Sequence, residues 1–190
     1  MARKKKLDEQ ELFLATEKLL VKKGYDGFHF KALSEELEVA RSTIYEYYAN
    51  KDDLITSYMM KRMDEIMEEC FALSVIDSPV AQLKQLLEIF ITRSHTHQVI
   101  EMIPLLKQAK SLKIQQQVDD LTHYHQKMYE FINEIIVKAQ KEGLIRKNIE
   151  PPVIASLLFN AIQIVNVMNV PPKEWSEKLF SIIFYGIHNG

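Results

Sequence analysis

Apolar side chains recur at three- and four-residue intervals along nearly the whole chain, the period of an α-helix buried on one side. From Leu7 to Lys23 the stripe is Leu12, Ala15, Leu19 and Leu20, and Gly24 is a natural stop. Leu33, Leu37, Ile44 and Tyr48 then belong to two short helices joined by a tight turn, which close a three-helix head with the first. A long helix follows over about 51–73, with Leu54, Ile55, Tyr58, Met59, Met63, Ile66 and Met67 in helical spacing. Asp77-Ser78-Pro79 places a capping residue before a proline at the first helical position and so opens a helix to about 92–96, buried through Leu83, Leu86, Leu87, Phe90 and Ile91. In the segment 99–110, Pro104 either kinks a helix or sits in its first turn. The longest helix is expected over 112–142, ended by Gly143. Pro151-Pro152 starts a helix with little polar surface, expected to reach Asn169. After Val170-Pro171-Pro172 a last helix runs over 173–188.

The pattern predicts an all-α protein of about nine helices: a helix-turn-helix head over 1–50 and a helical body over 51–190. Composition agrees, since 5 Gly and 6 Pro in 190 residues suit long helices and 47% hydrophobic residues are ample for a core. No apolar run reaches the roughly 18 residues of a membrane span. The basic run Arg3 to Lys6 leads into an amphipathic segment, unlike a signal peptide. A single cysteine, Cys70, excludes an internal disulfide and suits a reducing cytoplasm. The net charge of −2 would not by itself suggest nucleic acid, although the head is slightly more basic than the body. Arg3, Lys4, Lys5 and Lys6 read equally as an arm that adds phosphate contacts or as a solubilising terminus.

Catalytic constellations are missing from the sequence: it has no G-x-S-x-G, no phosphate-binding glycine loop, no H-E-x-x-H and no C-x-x-C. His95 and His97, like His123 and His125, are two apart, which on a helix turns them to different faces. The expectation is no enzyme, no metal and no cofactor.

The informative stretch is Leu33 to Leu54, LSEELEVARSTIYEYYANKDDL. Ile44 and Tyr48 face inward in its second helix, which leaves Arg41, Ser42, Thr43, Tyr45 and Tyr47 on the outer surface. Arg, Ser, Thr and Tyr all reach phosphate oxygens or base edges from a rigid helix in a major groove. Lys51 follows at the head of the next helix, where an ammonium and backbone N–H groups can grip one phosphate.

These residues resemble the DNA-binding head of the TetR (tetracycline-repressor-like) family of bacterial regulators. Tyr48, Lys51, Asp52, Asp53 and Leu54 match the family's aromatic-x-x-Lys-acidic-x-Leu run, and the first helix ends in Gly24-Tyr25-Asp26-Gly27 as the family's does. Three positions depart from the pattern. Glu38 stands where the family usually has a turn glycine. Ala40 replaces the hydroxyl that caps the recognition helix, and Phe28 and His29 stand where hydroxyl residues commonly begin the second helix and touch a phosphate.

The resemblance implies a cytoplasmic, homodimeric, ligand-responsive regulator, a repressor released from a palindromic duplex operator by a small apolar or amphipathic effector. His29, Arg41, Ser42, Thr43, Tyr45, Tyr47 and Lys51 would contact DNA, with two recognition helices roughly 34–36 Å apart. Phe90, Met102, Leu106, Tyr124, Met128, Phe131 and Phe159 would surround the effector cavity, with His95, Gln108, His123 or Asn160 as polar groups. The last two helices hold more apolar surface than one chain needs to cover. Leu158, Ile162, Val165, Trp175, Leu179 and Ile183 are therefore expected at a four-helix dimer interface like the family's. The alternative is a helical protein-interaction or metal-binding protein without specific DNA binding.

Overall fold

The computed structural model describes residues 7–106 and 111–188. The basic run Arg3 to Lys6 and the candidate Gln108 therefore lie outside the described residues. What is described is helical, in the order α1 (Glu9–Gly27), α2 (Phe30–Glu36), α3 (Arg41–Tyr45), α4 (Lys51–Ala72), α5 (Pro79–Thr92), α6 (Ser94–Ile100), α7 (Ile103–Leu106), α8 (Leu112–Lys141), α9 (Pro151–Asn160) and α10 (Pro172–Ile187). Short 3₁₀ turns follow α4 and α9. The fold is the all-α one expected, with a helix-turn-helix near its start. None of the described helices is long and apolar enough to cross a membrane.

The chain gathers into two compact units, one of residues up to 63 with 95–121, the other of 64–94 with the residues from 122 onward. In the first, Asp8 caps α1 by accepting from the Glu11 N–H at 3.0 Å. Gly24, at φ 67 and ψ 178, breaks the helical path before a last turn to Gly27, a backbone region open essentially to glycine alone. Leu12, Leu20, Phe28, Leu33, Ile44, Leu54 and Ile55 form the core. The Phe13 ring meets the buried Tyr58 ring edge-on at 5.8 Å and leans on Tyr48 at 6.5 Å.

Glu17 is the polar hub of this unit. Its carboxylate accepts from the Tyr58 hydroxyl of α4 and, at 3.2 Å, from the Thr96 hydroxyl of α6, with the Arg62 guanidinium at 3.9 Å. Burial, followed by the hydrogen bond to Glu17, pushes the Tyr58 phenol well above its ordinary pKa. The beginning of α8 is tied to α4 by Lys113 on Asp53, at 2.6 Å, and by the buried Thr56 hydroxyl donating to Gln117 at 2.9 Å.

In the second unit α5 is central and packs on α10, α9 and both 3₁₀ turns through Leu83, Leu86, Leu87, Phe90 and Ile91. Ser78 caps it and Pro79 begins it, as the sequence pattern required. Buried Gln82 donates to the Leu73 carbonyl at 3.0 Å, so its amide nitrogen is satisfied. The end of α8 is a Schellman motif: Gly143 takes φ 76, and Leu144 N–H bonds to the Ala139 carbonyl at 2.9 Å.

Two elements differ from the sequence expectation. The helix begun by Pro151 stops at Asn160, not Asn169: a 3₁₀ turn over Ala161–Gln163 leads to an extended Ile164, and Asn169 takes φ 50. Side chains close that segment instead, with Asn166 donating to the Val170 carbonyl at 2.7 Å and the Trp175 indole to the Ile164 carbonyl at 3.4 Å. Val165 and Met168 kept the helical spacing in sequence, yet they are exposed. Of the segment 99–110, the described residues end α6 at Ile100 and form α7 over Ile103–Leu106, with Pro104 in the first turn of α7.

Candidate nucleic-acid interface

The turn between α2 and α3 is built without glycine. Glu38 takes φ 53, the left-handed conformation that the position demands, and Val39 N–H closes the turn on the Ser34 carbonyl at 3.1 Å. Ala40 begins α3 in an extended conformation with no side-chain cap. In α3, Ile44 and Thr43 are buried, whereas Arg41, Ser42, Tyr45 and the following Tyr47 are exposed. Thr43 therefore supports α3 from below. Tyr45, 52% exposed, has its ring edge-on to the buried Phe30 at 5.0 Å, which fixes its direction while leaving its hydroxyl outside.

His29 begins α2. Its Nδ1 accepts from the Ala32 N–H at 3.0 Å, doing what a hydroxyl would at that position. That bond puts the ring proton on Nε2, so an exposed donor stands at the start of the helix.

Lys51 opens α4, and a capping arrangement holds that end: Asn50 Oδ1 accepts from the Asp53 N–H at 3.0 Å, and Asp53 reaches back to the Ala49 N–H at 3.4 Å. The Lys51 ammonium lies over the Tyr25 ring, 3.8 Å from its centroid, and donates to the Tyr25 carbonyl at 3.0 Å. The Tyr25 hydroxyl donates to Asp52 at 2.6 Å. Burial, the bond to Asp52 and nearby carboxylate charge together push the Tyr25 phenol up to about 12. Both acids beside Lys51 thus have partners, Asp52 in Tyr25 and Asp53 in Lys113.

Sequence reading missed Tyr25, Asn50 and Lys113. Asn50 had a local signal, a capping residue three before Asp53. Lys113 had none, because its partner is sixty residues away in the chain.

The residues expected around an effector divide between the units: His95, Met102 and Leu106 lie in the first, and Phe90, His123, Tyr124, Met128, Phe131, Phe159 and Asn160 in the second. There, half-buried Phe159 of α9 meets Phe90 of α5 at 5.6 Å and Tyr129 and His125 of α8 at 5.1 and 5.8 Å. Phe131 is edge-on to Phe71 at 5.2 Å, Met128 is buried, and Tyr124 donates to Asp64. A cleft of about 570 Å³ in the same unit has a different character. Lys84, Glu88, Arg93, Lys173 and Glu177 line it, and Lys84 pairs with Glu177 at 3.1 Å.

Of the residues expected to join two copies, Leu158, Trp175, Leu179 and Ile183 are buried, Ile162 is half-buried and Val165 is exposed. The outward apolar positions are Val153 and Leu157 on α9, Ile182 and Tyr185 on α10, and Ile164, Val165, Val167 and Met168 between them. Among the described residues no three His, Cys, Asp or Glu are grouped to hold a metal ion.

Residues 12–58, which hold α2, the glycine-free turn, α3 and the Lys51 end of α4, match the sequence profile of the bacterial regulatory proteins of the tetR family. Over those residues the chain is similar to the tetR family, and it is a DNA-binding transcriptional regulator. The fold of the whole chain also has solved counterparts. The ketosteroid transcriptional regulator KstR2 of Mycobacterium tuberculosis superposes with a TM-score of 0.80 over 99% of this chain and 100% of its own, at 10% identity. AibR in complex with isovaleryl coenzyme A and operator DNA gives 0.72 over 93% and 97%, at 17% identity. FadR from Bacillus subtilis in complex with stearoyl-CoA gives 0.66 over 95% and 100%, at 16% identity. At these identities the likeness is one of fold. No curated protein sequence matches this chain.

Proposed function

We propose that this chain is a homodimeric, cytoplasmic repressor that leaves a palindromic operator when a small amphipathic effector binds its body, and that it catalyses no reaction. Residues 1–50 form the DNA-binding domain and 51–190 the effector and dimerisation domain. The observation that carries the reading is the outward row Arg41, Ser42, Tyr45 and Tyr47 on and just after α3, flanked by the exposed Nε2 donor of His29 and the ammonium of Lys51. Arg41 and Ser42 serve base edges or phosphates from the groove end of α3, the tyrosine hydroxyls reach beside them, and His29 and Lys51 hold backbone phosphates. Thr43 acts as a support for that row.

The effector class that fits best is an acyl thioester of coenzyme A. Two proteins of the same fold, AibR and the Bacillus subtilis FadR, are in complex with isovaleryl coenzyme A and stearoyl-CoA. The aromatic group of Phe90, Phe159 and Tyr129 offers apolar lining for an acyl chain. Effector binding releases DNA only through a difference in affinity between two states of the dimer, typically a coupling of about 1–3 kcal/mol.

The test is selection of bound fragments from random duplex DNA with the purified protein, followed by titration of the recovered duplex with a panel of acyl-CoAs. A palindrome with half-sites about one DNA turn apart, released by an acyl-CoA, is the expected result. Indifference to every duplex at low ionic strength would instead leave the protein-interaction alternative standing.

A further inference from the structure

Lys51 has three N–H donors and no acceptor, and the structure accounts for two of its directions. One donor goes to the Tyr25 carbonyl at 3.0 Å, and the ammonium also rests on the Tyr25 ring face, 3.8 Å from the centroid. The ring is itself held, because its hydroxyl donates to Asp52 at 2.6 Å. Tyr25 therefore grips two successive residues of the first turn of α4 with three different parts of itself. Gly24 places that grip: its positive φ turns the chain out of the α1 path immediately before Tyr25.

A lysine on a surface helix ordinarily samples many rotamers, and ordering it costs conformational entropy. Here the side chain is already confined. Its neighbour Asp52 would otherwise compete with a phosphate for the ammonium, and the Tyr25 hydroxyl occupies one of that carboxylate's oxygens.

We propose that Tyr25 is a positioning residue for DNA binding: its ring and carbonyl hold the Lys51 ammonium at the amino end of α4 with a donor left over for a backbone phosphate. The proposal rests on the reading of Lys51 as a phosphate contact. Tyr25 needs no contact with DNA to do this.

The test combines proton NMR of the full-length protein with salt titrations of its binding to a short random-sequence duplex. Ring current from Tyr25 should shift the Lys51 ε-methylene protons upfield in the free protein. The shift should persist in Tyr25→Phe and vanish in Tyr25→Leu. Lys51→Met should reduce the slope of log K against log salt by about 0.9 for each phosphate that the protein no longer neutralises. Tyr25→Leu should weaken binding at least roughly threefold and lower the slope in the same direction, while adding nothing in the Lys51→Met background.

Unshifted Lys51 methylenes in the parent protein would overturn the positioning role without touching the phosphate contact, and this measurement stands even where Tyr25→Leu does not fold. So would a folded Tyr25→Leu that keeps the parent slope while Lys51→Met lowers it. An unchanged slope in Lys51→Met, with the upfield shift present in the parent, would remove the phosphate reading itself and the proposal with it.

Discussion

Glu38 occupies a backbone region in which its Cβ crowds the following carbonyl, at about 1–2 kcal/mol for a residue other than glycine. Glycine gives back part of that gain as unfolded-state entropy. Glu38→Gly should therefore raise stability by about 0.5–1 kcal/mol, seen as a higher denaturant midpoint at unchanged m. Cys70 shows a second single-residue effect: it is fully buried, and burial, with a smaller contribution from the Glu69 charge, pushes its thiol up to about 12. The thiolate is the reactive form. At pH 8 iodoacetamide should leave the folded protein unmodified and label it once denaturant opens the chain; rapid labelling of native protein would contradict the burial. Both residues were visible in sequence as oddities, a glutamate in place of glycine and a lone cysteine. Neither the φ of the one nor the enclosure of the other could be read there, because both depend on surrounding elements.

At the scale of the element, helix starts were the most legible feature. Asp8, Ser78 and Asn50 each accept the N–H three residues on, a local bond that a local pattern encodes. No side chain caps α9 or α10, which open on prolines, and in α3 Ala40 offers no acceptor. Ala40→Ser should supply one and stabilise the protein by about 1 kcal/mol, measured in the same denaturant titration. A loss of stability would mean that the added hydroxyl finds no N–H. The helix end at Asn160 was less legible, since the apolar spacing continues to Met168. What stops the helix is a set of bonds from Asn166 and Trp175, and the indole comes from the next helix.

For the whole molecule, the outward apolar positions of α9 and α10 matter most. Leu157 and Leu158 are neighbours in sequence, but 49% of Leu157 is exposed and 1% of Leu158. If two copies join through this surface, Leu157→Glu with Ile182→Arg should shift sedimentation toward the monomer while the isolated chain keeps its helix content. Leu158→Ala should instead cost about 2–5 kcal/mol of folding stability, as large-to-small changes in a packed core do. A dimer indifferent to the surface pair would place the contact elsewhere.

The order of helices, the helix-turn-helix, the outward placement of Arg41, Ser42, Tyr45 and Tyr47 and the likeness of the head to the tetR family were set by local pattern, because helical period and capping act within a few residues. Tertiary packing alone decided that Thr43 turns inward, that Tyr25 carries Lys51, that Lys113 meets Asp53, and which apolar face of α9 and α10 stays outside. Those outcomes join residues far apart in the chain, and a stripe of apolar residues does not say which of two flanks another helix will cover.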